Sequence, residues 1–144
     1  MLIGEFTHRI DDKHRISLPS KFRREVGKEI VVTHGLDGCL FLYPMAEWKK
    51  ISQKLGDLGF GQADMRGFNR FILSGATELQ VDGVGRILLP EHLRNFAKIK
   101  SKVVFAGVYN RIEVWNDKAW DIYKKKVIDN ADKVAEKLGD VGAI

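Results

Sequence analysis

DDKHRISLP at residues 11–19 and DGVGRILLP at residues 82–90 share Asp, Arg, Ile, Leu and Pro at one spacing. At an offset of 71, Asp11, Arg15, Ile16, Leu18, Pro19 and Arg23 match Asp82, Arg86, Ile87, Leu89, Pro90 and Arg94. One inserted residue shifts the offset to 72, where Val31, Val32, Gly35, Trp48 and Lys54 match Val103, Val104, Gly107, Trp120 and Lys126. Matches that keep their order and chemistry mark a tandem duplication. We divide the chain into repeats at 5–47 and 76–119, a helical connector at 48–75 and a C-terminal helix at 120–144. A unit of roughly 50 residues buries too little to fold alone. The two repeats are therefore expected to share a core.

Each repeat predicts the same elements. An extended run (2–10 or 76–81) leads to a polar turn, DDKH or DGVG, and then to a short apolar strand (15–18 or 86–89). Pro19 and Pro90 open short helices, because a proline in the first turn gives up no hydrogen bond. Phe22 with Val26, and Leu93 with Ala97, stand four apart and give each helix one apolar face. Strands at 30–33 and 39–43, and at 103–106 and 112–115, form hairpins around glycine-bearing or Asn-bearing loops. Pro44 opens a longer helix, and Asn116 or Asp117 caps another. The second carries an apolar stripe, Trp120, Tyr123, Val127, Ala131, Val134 and Leu138, read as core or inter-subunit packing. The connector predicts a further helix at 63–73. The fold class is α+β, mainly β.

The chain has 144 residues, 44% of them hydrophobic, so it is globular rather than disordered. A single cysteine, Cys39, excludes an internal disulfide framework and suits a reducing compartment. No run approaches the roughly 18 apolar residues of a membrane helix, and the charged N-terminal stretch does not read as a signal peptide. We expect a soluble, cytoplasmic protein.

The formal charge is +5 and the basic residues are clustered. Residues 13–24 hold five Lys or Arg and no acid, and residues 84–102 hold five against Glu91 alone. Residues 111–140 hold seven of each sign. The excess thus falls on equivalent parts of the two repeats, an arrangement that suits a duplex charged along its axis. Within the motif, Asp11 and Asp82 read as turn-closing acceptors of backbone N–H groups. Arg15 and Arg86 either pair with them or project to phosphate or a base edge. We favour DNA contact, because guanidinium offers a planar fork for guanine O6 and N7 or for two phosphate oxygens. Lys13 and His14 occupy the first loop where Val84 and Gly85 occupy the second, so the loops contribute unequally. Arg23 and Arg94 either support the loops or touch phosphate.

At this motif the sequence resembles the MraZ family, bacterial regulators within the wider SpoVT/AbrB group whose gene heads the division and cell-wall cluster. The resemblance runs through GEFTHRIDDKHRISLPSKFR, FILSGATELQVDGVGRILLP and VVFAGVYNRIEVW, nearly the whole chain. It implies two AbrB-type units interleaved as swapped hairpins into a β-barrel with flanking helices and a pseudo-two-fold axis. It also implies a homo-oligomeric ring of about eight subunits, where avidity turns weak contacts into firm binding. The expected ligand is double-stranded DNA carrying direct-repeat boxes, G-rich on one strand, upstream of the family's own operon, which it represses. That places the protein on the nucleoid. The family's motif arginines fall on Arg15 and Arg86, and its loop tip falls on Lys13 and His14. His14 is a mild departure from the family's small polar residue and would make DNA affinity pH-dependent.

Other classes fit less well. His8, His14, His34 and His92 lack metal-ligand spacing, and no nucleophile elbow or phosphate-binding loop is present. Cys39 sits in a strand with nothing nearby to activate it. Asp11 and Asp12 are adjacent, so on extended chain they point apart rather than sharing a proton. We expect no enzyme, no metal, no cofactor, no small-molecule substrate and no membrane partner. The alternative functions are an AbrB-fold antitoxin, or a ring-forming module that binds proteins through its tail.

Overall fold

A computed structural model describes residues 1–144. The first repeat supplies β1 (Leu2–Arg9), β2 (Arg15–Ser17), α1 (Ser20–Val26), β3 (Glu29–His34) and β4 (Leu40–Pro44). α2 (Met45–Gly56) starts at the end of the first repeat and runs into the connector, which adds α3 (Ala63–Asn69) and its continuation as a π-helical turn at Arg70–Ser74. The second repeat supplies β5 (Thr77–Gln80), β6 (Arg86–Leu88), α4 (Glu91–Phe96), β7 (Lys102–Tyr109) and β8 (Ile112–Asn116), before α5 (Asp117–Asp140) ends the chain. The fold is α+β with antiparallel strands.

Six strands form one sheet in the order β1-β7-β8-β4-β3-β5, and β2 pairs with β6 in a separate ribbon. Exchanging each strand for its repeat partner reverses this order and leaves it unchanged. The interleaving is explicit: β1 pairs with β7, β5 with β3, β4 with β8 and β2 with β6. Ile16 faces Ile87 and Phe41 faces Glu113 at the midpoints of the two self-paired contacts. A pseudo-two-fold axis therefore passes through both points. A single bridge, Ile10 to Ile16, joins the sheet to the ribbon.

Register corrects one detail of the repeat alignment. Ile30 faces Leu79 on β5, whereas Val103 faces His8 on β1, and Leu79 and His8 are equivalent at the offset of 71. Ile30 therefore matches Val103, an offset of 73. The sequence identities Val31–Val103 and Val32–Val104 are one residue out of step. Strand side chains alternate faces, and the core follows register: it takes Ile30 and Val32 from β3 but Val103 and Phe105 from β7.

The main core lies between sheet and ribbon, closed by α1 and α4. Ile16, Leu18, Phe22 and Val26 meet Ile87, Leu89, Leu93 and Ala97 there, so the two repeats share one core. The opposite face of the sheet carries Cys39, Val104 and Trp115, with Trp120 of α5 against Trp115 at 5.3 Å. Burial drives the Cys39 thiol well above its ordinary range and its Sγ donates to the Leu36 carbonyl.

The connector widens into a π turn for a local reason. Thr33 Oγ1 donates to the Ile72 carbonyl at 2.5 Å, and the His34 ring lies 2.8 Å from the Phe71 carbonyl through Nδ1. Side chains of β3 thus engage carbonyls at the turn, a recognised cause of helix distortion. Asn116 caps α5, accepting from the Ala119 N–H at 3.0 Å. The start of the α5 stripe packs on the sheet, with Tyr123 5.0 Å from Trp115 beside Trp120, but the rest is uncovered in this chain. Beyond Lys124 every residue is exposed, and Tyr123, Val127, Val134, Leu138 and Ile144 line an open apolar groove.

Candidate nucleic-acid interface

The two motif loops are built alike. Asp11 Oδ1 accepts from the backbone N–H groups of Lys13 and Arg15, both at 2.9 Å. Asp82 Oδ1 accepts from those of Val84 at 3.0 Å and Arg86 at 2.9 Å. Each aspartate thereby closes an Asx turn. The second oxygen then takes the arginine: Arg15 Nε donates to Asp11 Oδ2 at 2.9 Å, and Arg86 Nε to Asp82 Oδ2 at 2.8 Å. The backbone N–H of Arg15 is the leading cause that holds the Asp11 carboxyl below its usual range, and Arg86 does the same for Asp82.

Only Nε of each arginine is engaged. The terminal nitrogens of Arg15 and Arg86 make no hydrogen bond within the chain, and the side chains are 33% and 34% exposed. The aspartates therefore aim the guanidinium groups without enclosing them.

The ribbon sets the spacing. Ile16 and Ile87 point into the core, so Arg15 and Ser17 of β2, with Arg86 and Leu88 of β6, face outward together. Arg15 stands opposite Leu88, and Ser17 opposite Arg86. Diagonal neighbours of this kind lie about 7–8 Å apart at Cα, so the two arginines form a pair across the pseudo-two-fold axis.

Backbone conformation explains the loop residues. His14 has φ +62° and Gly85 φ +85° at equivalent positions. Both occupy the left-handed region, where glycine sits freely and a side chain is strained. Lys13 and His14 are exposed, as is Val84.

Arg23 and Arg94 turn back on the protein. Arg23 Nε donates to the Leu18 carbonyl at 2.9 Å, and Arg94 Nη1 to the Leu89 carbonyl at 2.8 Å. Each brace meets a strand end that already pairs with the opposite loop: the Leu18 N–H donates to the Gly85 carbonyl and the Leu89 N–H to the His14 carbonyl. Arg23 and Lys28 also line a cleft of about 500 Å³ beside the second loop.

Two further cations went unremarked in the sequence. Arg9 pairs in register with Lys102 beneath the first loop. The Lys28 carbonyl accepts from Val81 beneath the second. Neither repeats across the two halves, so the internal alignment carried no signal for them.

A family model described as "MraZ protein, putative antitoxin-like" matches twice, over residues 1–71 and 72–141. The chain is 47% identical to the transcriptional regulator MraZ of Moorella thermoacetica, over 97% of this chain and 98% of that protein. Identity is 47% to that of Caldanaerobacter subterraneus subsp. tengcongensis, over 96% of each chain. It is 46% to that of Limosilactobacillus reuteri, over 96% of this chain and 97% of the relative. These relatives are named as regulators of transcription and not as enzymes. With two matched copies and near-complete coverage, the chain belongs to the MraZ family.

Proposed function

We propose that the β2–β6 ribbon and its two loops form a sequence-specific DNA-binding surface of a transcriptional regulator. The observation that carries this reading is the paired geometry of Arg15 and Arg86. Each is steered by an aspartate through Nε, keeps its terminal nitrogens unbonded, and lies on the same outward face as the other. A two-stranded ribbon fits the major groove, and a guanidinium fork fits guanine O6 and N7 there. Lys13 and His14 add contacts at the first loop. Arg23 and Arg94 hold the ribbon ends while their remaining nitrogens face phosphate.

The finer parts of the reading follow from multiplicity. One ribbon offers two arginines, a small specific contact. A ring of about eight subunits would present many ribbons to direct repeats, which suit a cyclic array better than a palindrome does. The bare α5 stripe and the apolar groove of Ile51, Leu55, Phe68 and Ile72 between α2 and α3 supply surfaces for such an assembly. Repression of the chain's own division and cell-wall operon, with residence on the nucleoid, completes the proposal. The repeats at 5–47 and 76–119 are its recognition units.

The test is a gel shift on the chain's own upstream region against unrelated DNA, with Arg15→Ala and Arg86→Ala variants, at two salt concentrations. Wild type should bind its upstream region preferentially, and affinity should fall steeply with salt as counterions are released. Each variant should lose preference while staying folded and oligomeric. Undiminished preference in a folded Arg15→Ala protein would overturn the reading. The antitoxin alternative draws on the same bare α5 stripe; it requires a toxin that co-purifies at stoichiometric yield.

A further inference from the structure

Leu88 is 56% exposed on the ribbon face that also carries Arg15 and Arg86. It stands directly across from Arg15 and two residues along the same strand face from Arg86. Nothing in the fold requires an aliphatic group there. The equivalent position in the first repeat is Ser17, and the ribbon closes around it in the same register. Leu88 therefore neither fills the core nor completes the ribbon.

Its placement has a chemical meaning next to a base-reading arginine. The backbone bonds from Leu18 to Gly85 and from Leu89 to His14 mark the even positions of β2 as hydrogen-bonded pairs. Arg15 and Leu88 then form a close-set, non-hydrogen-bonded pair, about 4.5 Å apart at Cα. The rise between stacked bases is about 3.4 Å along a strand. Two side chains at this separation reach neighbouring base pairs. Among base edges in the major groove only thymine presents an apolar group, its 5-methyl, and aliphatic contact is how proteins read it.

We propose that Leu88 is a specificity-determining residue that packs on a thymine 5-methyl group beside the base gripped by Arg15. Because Ser17 holds the two-fold-related position, the ribbon reads a directional element rather than a palindrome. This inference rests on the DNA-binding reading above and adds to it a base and an orientation.

The experiment compares two copies of the chain's own upstream fragment, one made with dTTP and one with dUTP. Uracil pairs as thymine does and lacks only the methyl. Wild type should bind the uracil fragment about fourfold more weakly per contact, the worth of one buried methyl. Leu88→Ala should bind both fragments equally, at the affinity wild type shows for uracil DNA. Single uracil substitutions should place the loss on one side of each repeated element. Equal binding of wild type to both fragments, or a uracil penalty that persists in Leu88→Ala, would overturn the assignment to Leu88 while leaving DNA binding in place. No preference for either fragment over unrelated DNA would overturn the DNA-binding reading and this inference with it.

Discussion

The Arg23 guanidinium lies directly against Gly85, so that a methyl group built on Gly85 would come within 2.5 Å of Arg23 Cζ. The helix of one repeat thus props the loop of the other, and the contact leaves room only for hydrogen. Gly85→Ala should destabilise the protein through this clash and through φ +85°, which costs an L-residue about 1–2 kcal/mol. In an Arg23→Ala background, which has already given up the bond to the Leu18 carbonyl, Gly85→Ala should cost only the backbone part. Urea midpoints of Gly85→Ala in the two backgrounds separate these contributions, and a Gly85→Ala midpoint equal to wild type would refute the packing argument.

His14 is the natural counter-experiment. It holds the same left-handed conformation with a side chain in place. Relief of about 1–2 kcal/mol of strain outweighs the roughly 0.5–1 kcal/mol that glycine's unfolded-state freedom costs. His14→Gly should therefore raise stability by several tenths of a kcal/mol, read as a higher urea midpoint at unchanged slope.

Those two loop positions show what sequence can reveal. The duplication, the strand order within each repeat and the helix starts just after Pro19, Pro44 and Pro90 are written locally, in identities, turn residues and period. The turn-closing role of Asp11 and Asp82 is equally legible, since the motif repeats, whereas for Arg15 and Arg86 the motif leaves pairing and DNA contact open. What escaped depends on distance in space. The one-residue error between Val32 and Val104 arises because the valine pairs give two identities at an offset of 72 and only one, Val31 with Val104, at 73, and only pairing with β1 and β5 decides which faces the core. Leu88 escaped because an aliphatic residue on a short strand reads as core until its burial is known. For the α5 stripe, period reports an apolar face and not what covers it: Trp120 and Tyr123 pack on Trp115, and the residues beyond stay uncovered within the chain.

Acid should weaken the loops before it unfolds the core. Asp11 and Asp82 both have pKa values lowered below the ordinary 3.8 in the folded state. A depressed carboxylate stabilises the fold above its unfolded pKa, and that contribution is lost as pH falls through the folded value. Stability should therefore decline below roughly pH 4. The Asp11→Asn/Asp82→Asn double variant keeps an oxygen for the turn but gives up the charge, and its stability should depend less on pH across that window. Identical acid profiles for the variant and wild type would contradict the assignment.

Removing residues 125–144 should leave the monomer fold intact. Glu5 anchors the start of α5 through Trp120 Nε1 and Lys124 Nζ, both at 2.8 Å, and everything beyond is exposed. The truncated protein should melt near the wild-type temperature. If α5 builds the assembly, sedimentation should show a smaller particle, and affinity for the upstream fragment should fall by a factor on the order of 10² as avidity is lost. A full-sized particle would exclude α5 from the interface.

The exchange of partners between β1–β7 and β3–β5 carries an evolutionary consequence. In a dimer of identical chains any new side chain arrives twice, once on each side of the axis. Here the two sides are encoded separately on one polypeptide, held in fixed one-to-one supply. Serine at 17 and leucine at 88, or histidine at 14 and glycine at 85, are differences that only a fused pair can inherit. Joining the halves gave a symmetric frame the freedom to become lopsided at its working surface.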